Sequence, residues 1–213
     1  WNEMARKLVH EIKNPLTPIR LSAERMRKLV QDGNPLRDDA VIKGSETIIS
    51  EVNSLLKLVS SFNNFARLPE KKAELSNIRN IIFETVALFQ VYEKVKFEIN
   101  CADDLPDLQL DRSLMRQAFN NLISNSIHAM RENGEIRIAC APDREGLYLV
   151  IRIIDNGPGI KAQYIDKIFD PGFTFGKSGT GLGLAIVEKI VLEHDGKIYC
   201  RSEEGKGAEF IIK

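Results

Sequence analysis

The sequence has few of the residues and runs that characterise secreted, membrane-spanning or polyanion-binding proteins. Its three cysteines lack CxxC spacing, which predicts reduced, buried thiols rather than disulfides or a zinc site. It has neither an apolar run long enough to span a bilayer nor a signal peptide, so we expect no membrane contact by this segment. Thirty basic residues balance thirty acidic residues, so we also expect no nucleic-acid partner.

The remaining composition is that of an ordinary globular protein. The 213 residues, of which 43% are hydrophobic and 28% charged, suffice for two small domains with a core. The sequence shows no internal repeats and no low-complexity segments. It starts at Trp1, within a helix-like pattern, so we expect a fragment whose N-terminal portion is missing.

The first 66 residues predict two long amphipathic helices. Apolar residues spaced by three or four form a near-heptad seam in residues 1–31: Leu8, Ile12, Leu16, Ile19, Ala23, Met26 and Val30. A turn at residues 31–35 leads to a second helix, capped by Asp38 or Asp39. Its apolar stripe is Ile48, Val52, Leu55, Val59, Phe62 and Ala66, widened by Ile49 and Leu56.

Such a helical hairpin leaves half of its apolar surface exposed when it stands alone. We expect two copies to pair as a four-helix bundle, which makes the protein a homodimer. Packing of the hairpin against the rest of the same chain is the alternative. His10 lies off the seam and should face solvent.

A second domain follows a charged, proline-bearing break at residues 68–72. We therefore predict a helical domain over 1–68 and an α/β domain over 74–213. Helix-like segments at 78–91, 111–132, 161–168 and 181–195 alternate with strand-like segments at 94–100, 135–141, 147–154, 197–202 and 207–213. This order predicts a mixed sheet under a helical layer, and an α+β fold class for the chain.

The stretch HEIKNPLTP, residues 10–18, carries candidate reactive groups. His10 and Asn14 are four residues apart and share a helix face, with Glu11 to one side. Pro15 and Pro18 each remove a backbone hydrogen bond, so the helix can bend there. An imidazole beside a carboxylate makes His10 a candidate nucleophile.

Polar side chains at positions 121, 125 and 128 form one face of the helix predicted over 111–132. Asn121 and Asn125 offer amide oxygens, which are neutral, hard ligands suited to Mg²⁺ shared with phosphates. His128 completes the face. Taken alone, this face is more simply the solvated side of an amphipathic helix.

Asp155, Gly157 and Gly159 lie in a DNGPG segment directly after a predicted strand. A carboxylate there can accept a hydrogen bond from the exocyclic amine of adenine. The two glycines let the backbone approach a planar ring. The same five residues also make a good turn, and nothing local separates the two interpretations.

Two glycine-rich segments complete this group of motifs. Residues 168–177 combine glycine, proline and aromatic residues without periodicity, which predicts a mobile lid. Residues 179–184, GTGLGL, open a helix near Gly181 and offer unpaired N–H groups to phosphate oxygens. Neither segment has the spacing of a Walker A or GxGxxG motif. His194, near a helix end, is predicted to be a C-terminal charge.

The segments HEIKNP, NLISN, DNGPGI, FDPGF and GTGLGLAIV, in this order, resemble the H, N, G1, F and G2 boxes of two-component sensor histidine kinases. The resemblance covers essentially the whole chain, and within the family it is similar to the nitrogen-regulation kinases of the NtrY type. It implies a dimerising helical hairpin followed by a Bergerat-type ATP-binding α/β sandwich. It also implies ATP and Mg²⁺, a response-regulator receiver domain as partner, and the cytoplasmic portion of a membrane-anchored sensor.

The resemblance assigns catalytic roles on the first helix. His10 matches the phosphoacceptor, and Glu11 matches the acidic neighbour that polarises it. Asn14 matches the position that orients water when the receiver is dephosphorylated.

The resemblance likewise assigns nucleotide contacts in the second domain. Asn125 matches the Mg²⁺ ligand and Asn121 its companion, while Asp155 matches the adenine-reading aspartate, with Gly157 and Gly159. Further residues expected to contact the nucleotide are His128, Lys177, Gly179, Thr180, Gly181, Leu182 and Gly183.

Two departures from the family pattern and two rival functions stay open at this point. Gly172 stands where many members have a phenylalanine, which could loosen the lid, and His128 replaces a commoner Lys or Arg, so its help to phosphate would depend on pH. One rival is a serine kinase or ATPase of the same superfamily, against which the His10–Glu11 pair argues. The other is a nucleotide-binding dimer scaffold, against which the intact Asn125 and Asp155 argue.

Overall fold

The computed structural model describes residues 2–33, 35–66, 70–175 and 180–213. The chain divides into two compact units, a helical hairpin and an α/β domain. Two long helices therefore precede a sheet covered by helices, which confirms the α+β fold class. Among the described residues, no helix combines the length and apolar character that crossing a bilayer requires.

The hairpin consists of two 30-residue helices, α1 (Asn2–Gln31) and α2 (Arg37–Ala66). Helix α1 continues through Pro15 and Pro18 without a break in its helical assignment. The predicted cap of α2 was wrong, because the helix begins at Arg37 and its first turn already contains Asp38 and Asp39. Both carboxylates still lie where the helix dipole favours negative charge.

The predicted seam of α1 divides into two rows of heptad spacing. Ile12, Ile19 and Met26 are half-buried in the hairpin. Leu16 and Val30, which are two heptads apart, are 47% and 51% exposed. Since the same seam has one covered and one uncovered row, the contact with α2 uses only part of the apolar surface of α1.

Helix α2 repeats this division. Its residues 48, 55 and 62 are half-buried and Leu58 is buried, whereas Ile49 and Leu56 are 60% and 62% exposed. Gly44 is buried where the two helices approach, and a Cβ atom there would lie 2.6 Å from the sulfur of Met26. The Met26 side chain therefore occupies the space that a Cβ atom at position 44 would take, and a larger residue there would require Met26 to move.

The α/β domain contains seven strands and three α-helices among the described residues. In chain order they are β1 (Glu74–Ser76), α3 (Ile78–Ala87), β2 (Val95–Cys101), β3 (Leu108–Leu110), α4 (Arg112–Ala129), β4 (Gly134–Pro142), β5 (Leu149–Asp155), a 3₁₀ helix (Ala162–Lys167), α5 (Gly183–Glu193), β6 (Ile198–Ser202) and β7 (Ala208–Ile212). The main sheet has the order β2-β4-β5-β7-β6, in which only β2 and β4 are parallel.

One face of this mixed sheet packs against the helical layer. Alternate residues of β4, among them Ile136 and Ile138, are buried, as the period of two in a half-covered strand requires. Phe119 and Leu122 of α4 and Ile190 of α5 contribute fully buried side chains from the helices. The predicted mixed sheet under a helical layer is therefore confirmed.

The structure also corrects several predicted bounds. Helix α4 ends three residues early because Arg131 and Glu132 have left-handed backbone angles, with φ of 54° and 61°. Helix α5 begins at Gly183 rather than near Gly181, whose φ is 61°. Strands β1 and β3 form a separate antiparallel pair, and the sequence did not indicate them because three residues cannot show a periodicity.

Asp111 ties the start of α4 to the segment that precedes β1. Its Oδ1 accepts from the backbone N–H groups of Ser113 and Leu114 at 3.0 Å each, and its Oδ2 accepts from Lys72 N at 2.8 Å. Burial acts to raise the pKa of Asp111, but these three hydrogen bonds outweigh it and hold the pKa below its ordinary value. The carboxylate is thus a cap and a linker anchor at once.

His194 fixes the same corner from the end of α5. Its Nε2 accepts from the backbone N–H of Asp111 at 2.9 Å, and its Nδ1 lies 2.8 Å from the carbonyl oxygen of Ile190. Because an amide N–H can only donate, this arrangement requires a neutral ring protonated at Nδ1. The predicted role of His194 as a C-terminal charge is therefore wrong.

We predict that Asp111→Asn lowers the free energy of unfolding by about 1–2 kcal/mol at neutral pH, since the amide cannot accept from Lys72 while serving as the cap. A carboxylate whose pKa is lowered by folding contributes stability above its unfolded pKa and loses it as pH falls through the folded pKa. The deficit of the variant should therefore shrink below about pH 4. Urea unfolding at pH 7 and in acid measures it.

Asp104→Asn, at an exposed position, is the control and should match the parent protein at both pH values. A deficit of Asp111→Asn that is equal at neutral and acidic pH would contradict the assignment of the effect to the charged carboxylate.

Gly207, just before β7, is held by a close backbone contact. Its φ is 84°, and a Cβ atom there would overlap the backbone carbonyl oxygen of Asp155. Gly205 has nearly the same φ, 82°, but a Cβ atom there would meet nothing within 4 Å. The two glycines therefore share a backbone strain and differ in steric contact.

We predict that Gly205→Ala costs about 1 kcal/mol of stability, which is the left-handed penalty alone. Gly207→Ala should cost at least about 3 kcal/mol, because the overlap with backbone adds to that penalty and cannot be relieved by a rotamer change. Denaturant unfolding of both variants measures the difference. Equal losses would show that the close approach of Gly207 to Asp155 does not constrain the fold.

Candidate functional site

The hairpin presents the three predicted catalytic residues on α1. His10 and Asn14 are exposed and Glu11 is half-buried. His10 and Asn14 share one helix face, one turn apart, as predicted from their spacing. An exposed imidazole next to a carboxylate is accessible to an incoming phosphoryl group, and Asn14 can donate or accept a hydrogen bond beside it.

In the α/β domain, the amide side chains of α4 meet the N-terminus of α5. Asn121 Nδ2 donates to the carbonyl oxygen of Gly183 at 3.3 Å. A Cβ atom on Gly183 would lie 3.7 Å from Asn125 Nδ2, so only the absence of a side chain leaves that space open. Two motifs separated by more than fifty residues in the sequence are therefore adjacent, and Asn121, unlike the exposed Asn125 and His128, is not merely on the solvated side of the helix.

The N-terminus of α5 offers backbone donors to an anion. Among the described residues, no side chain caps α5, whereas Asn77 caps α3 and Asp111 caps α4. The first N–H groups of an uncapped helix have no internal partner and carry the positive end of the helix dipole. Leu182, which is buried, anchors this end of the helix.

Gly181 shapes the turn that leads into α5. Its carbonyl oxygen accepts from Gly172 N at 2.8 Å, and its φ is 61°. A Cβ atom on Gly181 would overlap the backbone of Gly172. The segment containing Gly172 and the glycine-rich entry to α5 thus pack backbone to backbone. The predictions for Lys177 and Gly179 lie outside the described residues, and that for Thr180 stays a prediction.

Asp155, at the end of β5, is a buried carboxylate with three donors. Its Oδ2 accepts from Ser126 Oγ at 2.9 Å, and its Oδ1 accepts from Gly157 N at 3.0 Å and from Ala208 N at 3.2 Å. The residue is 5% exposed. These donors satisfy a charge that would otherwise be costly to bury.

The backbone after Asp155 turns tightly around it. Gly157 is half-buried, and a Cβ atom there would lie 2.9 Å from Asp155 Oδ1. Gly159 has a φ of 70°, and a Cβ atom there would overlap the carbonyl oxygen of Glu203. The two glycines predicted to accompany Asp155 therefore serve the turn itself, and their contact with a nucleotide stays a prediction.

His128, on the exposed side of α4, has one ring nitrogen engaged. Its Nδ1 lies 2.7 Å from the carbonyl oxygen of Ser124, one turn earlier in the helix. An Nδ1–H donor fits that contact, which leaves Nε2 as the atom that can face a phosphate. The predicted nucleotide contact of His128 stays a prediction.

Three aromatic rings cluster at the predicted lid. Tyr164, Phe173 and Phe175 have centroid separations of 5.7, 5.5 and 5.1 Å. Gly172, which stands where many family members have a phenylalanine, is buried and has a φ of 86°. Glycine therefore serves a tight turn there, and the neighbouring aromatic rings supply the packing. The loosening effect of Gly172 on the lid stays a prediction.

Two residues of the site were not identified from the sequence. Ser126 donates to Asp155 from a buried position on α4, and Gly207 brings β7 against the carbonyl of Asp155. A signal for Ser126 existed, because it is a polar residue on the core-facing side of an amphipathic helix, between Ile123 and Ile127. Such a residue usually has a buried polar partner. Gly207 gave no signal beyond a turn.

The residues present fit Mg²⁺ only in combination with phosphate. Within the described part of the chain, no group of three or more His, Cys, Asp or Glu side chains could hold a metal ion. The amide of Asn125, beside the uncapped end of α5, is instead the type of neutral ligand that shares Mg²⁺ with phosphate oxygens.

Family models match both parts of the chain. The model of the His Kinase A (phospho-acceptor) domain matches residues 1–71. The model of the histidine kinase-, DNA gyrase B- and HSP90-like ATPases matches residues 110–213. These two matches include every residue for which a catalytic or nucleotide role was predicted.

Individual relatives agree with the family models. The chain is 38% identical to the nitrogen regulation protein NtrY of Azorhizobium caulinodans, over 98% of this chain and 28% of that protein. It is 32% identical to the signal transduction histidine-protein kinase AtoS of Escherichia coli, over 99% of this chain and 34% of that protein. The chain thus spans about a third of the length of the curated relatives it matches.

Solved structures are similar over both units. The histidine kinase ThkA, crystallised in complex with the response regulator protein TrrA, is 28% identical with a TM-score of 0.75, covering 99% of this chain and 60% of that one. The isolated catalytic domain of ThkA is 31% identical with a TM-score of 0.58, covering 66% of this chain and 93% of that one. The order of motifs, the fold and these similarities show that the chain belongs to the two-component sensor histidine kinases.

Proposed function

We propose that this chain is the ATP-dependent kinase core of its parent protein, which phosphorylates itself on His10 and passes the phosphoryl group to an aspartate of a response regulator. The observation that carries the proposal is the convergence of Asn121 and Asn125 with the uncapped N-terminus of α5 in a domain that also buries Asp155. The same chain presents an exposed histidine beside a glutamate. The chain therefore contains candidate groups both for binding the phosphoryl donor and for accepting the phosphoryl group.

In this proposal, ATP binds the α/β domain through three of its features. Asp155 accepts from the exocyclic amine of adenine, and the tight turn formed by Gly157 and Gly159 keeps its predicted contact with the base. The backbone N–H groups at the start of α5 bind phosphate oxygens. Asn125, with Asn121, would hold Mg²⁺, which offsets phosphate charge during transfer. His128, Lys177, Gly179 and Thr180 retain their predicted contacts with the phosphates.

His10 acts as the nucleophile. Glu11 accepts a hydrogen bond from one ring nitrogen and so raises the nucleophilicity of the other. That second nitrogen attacks the γ-phosphorus, the bond to the β,γ-bridging oxygen breaks, and ADP leaves with the electron pair. The product is a phosphoimidazole, whose phosphoryl group then moves to a carboxylate of the receiver. Asn14 would orient water for the reverse function, hydrolysis of the phosphoaspartate.

The proposed partner is a receiver domain, as ThkA is seen with TrrA. The helical hairpin, which carries His10, would supply the docking surface. In the same proposal the chain is the cytoplasmic portion of a membrane-anchored sensor. These statements concern the whole protein, of which the chain corresponds to about a third in its relatives.

We further infer that two copies pair through the hairpin. Leu16 and Val30 on α1, and Ile49 and Leu56 on α2, form exposed rows that continue the apolar seam. A four-helix bundle buries both rows of each helix, whereas one hairpin buries only one. The exposed rows therefore support a homodimer.

Incubation with Mg²⁺ and γ-labelled ATP tests the kinase function. We expect a covalent label that is labile in acid and stable in alkali, because a phosphoramidate has these properties and a phosphoserine does not. His10→Gln should remove the label and retain ATP binding, since His10 lies in the other unit. His128→Gln is the matched control, and it should keep a label of the same stability even if the amount falls.

Other results would contradict the proposal in distinct ways. Label that resists acid and survives in His10→Gln would favour a serine kinase of the same superfamily. ATP binding without any label would favour a nucleotide-binding scaffold. Label that survives in His10→Gln and disappears in His128→Gln would show that the phosphoacceptor was misassigned.

We predict that Leu56→Glu shifts the chain from dimer to monomer, because a carboxylate would be buried without a partner in the bundle. The dimer dissociation constant should rise by at least about a hundredfold. Sedimentation equilibrium measures it, with Asn53→Glu, at an exposed position of the same helix, as the control that stays dimeric. An unchanged dimer in Leu56→Glu would place the interface elsewhere.

A further inference from the structure

The environment of Asp155 contains a side chain to which neither the motifs nor the family comparison assigns a role. Ser126 lies on α4 and is 2% exposed. Its Oγ donates to Asp155 Oδ2 at 2.9 Å. It follows Asn125 directly in the sequence, yet it points to the core while the amide of Asn125 is exposed. One helix thus carries a phosphate-side group and a base-side group at adjacent positions.

The lone pairs of Asp155 show what this hydroxyl does. An ionised carboxylate has about four lone-pair positions. Two on Oδ1 are occupied by the N–H groups of Gly157 and Ala208, and one on Oδ2 by Ser126. Counting donors from the described residues, one position on Oδ2 is left for a ligand. The hydroxyl therefore fixes the rotation of the carboxylate and the direction of the remaining lone pair.

We propose that Ser126 is a positioning residue that aims Asp155 at an amino group of the bound purine and so selects 6-aminopurine over 6-oxopurine nucleotides. This inference rests on the proposed ATP function and specifies the base recognition of the same site. A fixed acceptor binds a donor amine well. It cannot bind a carbonyl oxygen, which leaves two acceptors opposed.

The alternative is a purely structural hydroxyl that stabilises a buried charge. Both roles predict a loss of stability when the hydroxyl is removed, so stability alone does not separate them. They differ in how a nucleotide without the amino group behaves. A structural role affects all purine nucleotides alike, whereas a positioning role affects only those that carry the amine.

The test compares binding of ATP and of purine riboside triphosphate, which lacks the exocyclic amine, by isothermal titration with Mg²⁺. For Ser126→Ala we expect about a tenfold loss of ATP affinity, the size of one hydrogen bond to a charged group. Affinity for the purine riboside nucleotide should change by less than about twofold, since that ligand never uses the lone pair. Discrimination between ATP and inosine triphosphate should fall by the same factor as ATP affinity.

Two further variants keep the result interpretable. Ser126→Thr retains the hydroxyl and should recover the ATP preference. Ser126→Cys retains the volume with a weaker donor, so it should reproduce the selective loss if the alanine variant does not fold. Ser113→Ala, at an exposed position in the first turn of α4, is the control and should behave as the parent protein.

Each outcome of this test either supports or overturns the positioning role of Ser126. An equal loss for both nucleotides, or no loss for ATP, in a folded Ser126 variant would overturn the positioning role and leave the proposed function intact. Failure of the parent protein to bind ATP at all would overturn the proposed function, and this inference with it. Selective loss for ATP, restored by threonine, would establish the role.

Discussion

The burial of one charge, the carboxylate of Asp155, constrains the arrangement of the α/β domain. A charge removed from water is tolerated only where donors surround it, since an unpaired buried carboxylate costs several kcal/mol. The donors come from three places in the chain: a hydroxyl on α4, the turn after β5 and the first residue of β7. Meeting that requirement fixes the helical layer against the centre of the sheet.

The burial of Asp155 also explains why glycines occur where the backbone passes close to it. For three elements to converge on one carboxylate, their backbones must approach more closely than a Cβ atom allows. Gly157 lies against the carboxylate, and Gly207 lies against the carbonyl of the same residue. At Gly183 the omitted side chain instead leaves space in front of Asn125. Close packing at one end of the site and open space at the other suit a flat base and a charged phosphate chain.

Periodicity and motif order predicted the fold class, the mixed sheet and most elements of both units. They failed where the deciding contact is distant in sequence or local in backbone angle. The end of α4 depends on left-handed angles at Arg131 and Glu132, which are not glycines and gave no turn signal. His194 looked like a helix-end charge because its acceptor role requires Asp111, 83 residues earlier. Pattern reasoning cannot locate such partners.

The same limit explains the outcome for the site. Asn121 and Gly183 were each expected at the nucleotide site, and the structure brings them into contact. Ser126 was overlooked because it lies one residue beyond the NLISN segment, although its periodicity belongs to the buried face of α4 with Leu122 and Ile123. A polar residue at a position that the helical period assigns to the buried face is a stronger indicator of a buried partner than a polar residue on the exposed face.

The proposed homodimer has to pair two copies of the hairpin without covering His10, the proposed phosphoacceptor. The exposed apolar row of α1 contains Val9, Leu16 and Val30, which are spaced by multiples of seven. His10 is one residue beyond Val9, which is 63% exposed. One residue along a helix is a rotation of about 100°. A partner that covers the row therefore leaves the imidazole at the side of the bundle. In the proposed function, dimerisation and phosphoryl transfer would therefore use different faces of α1.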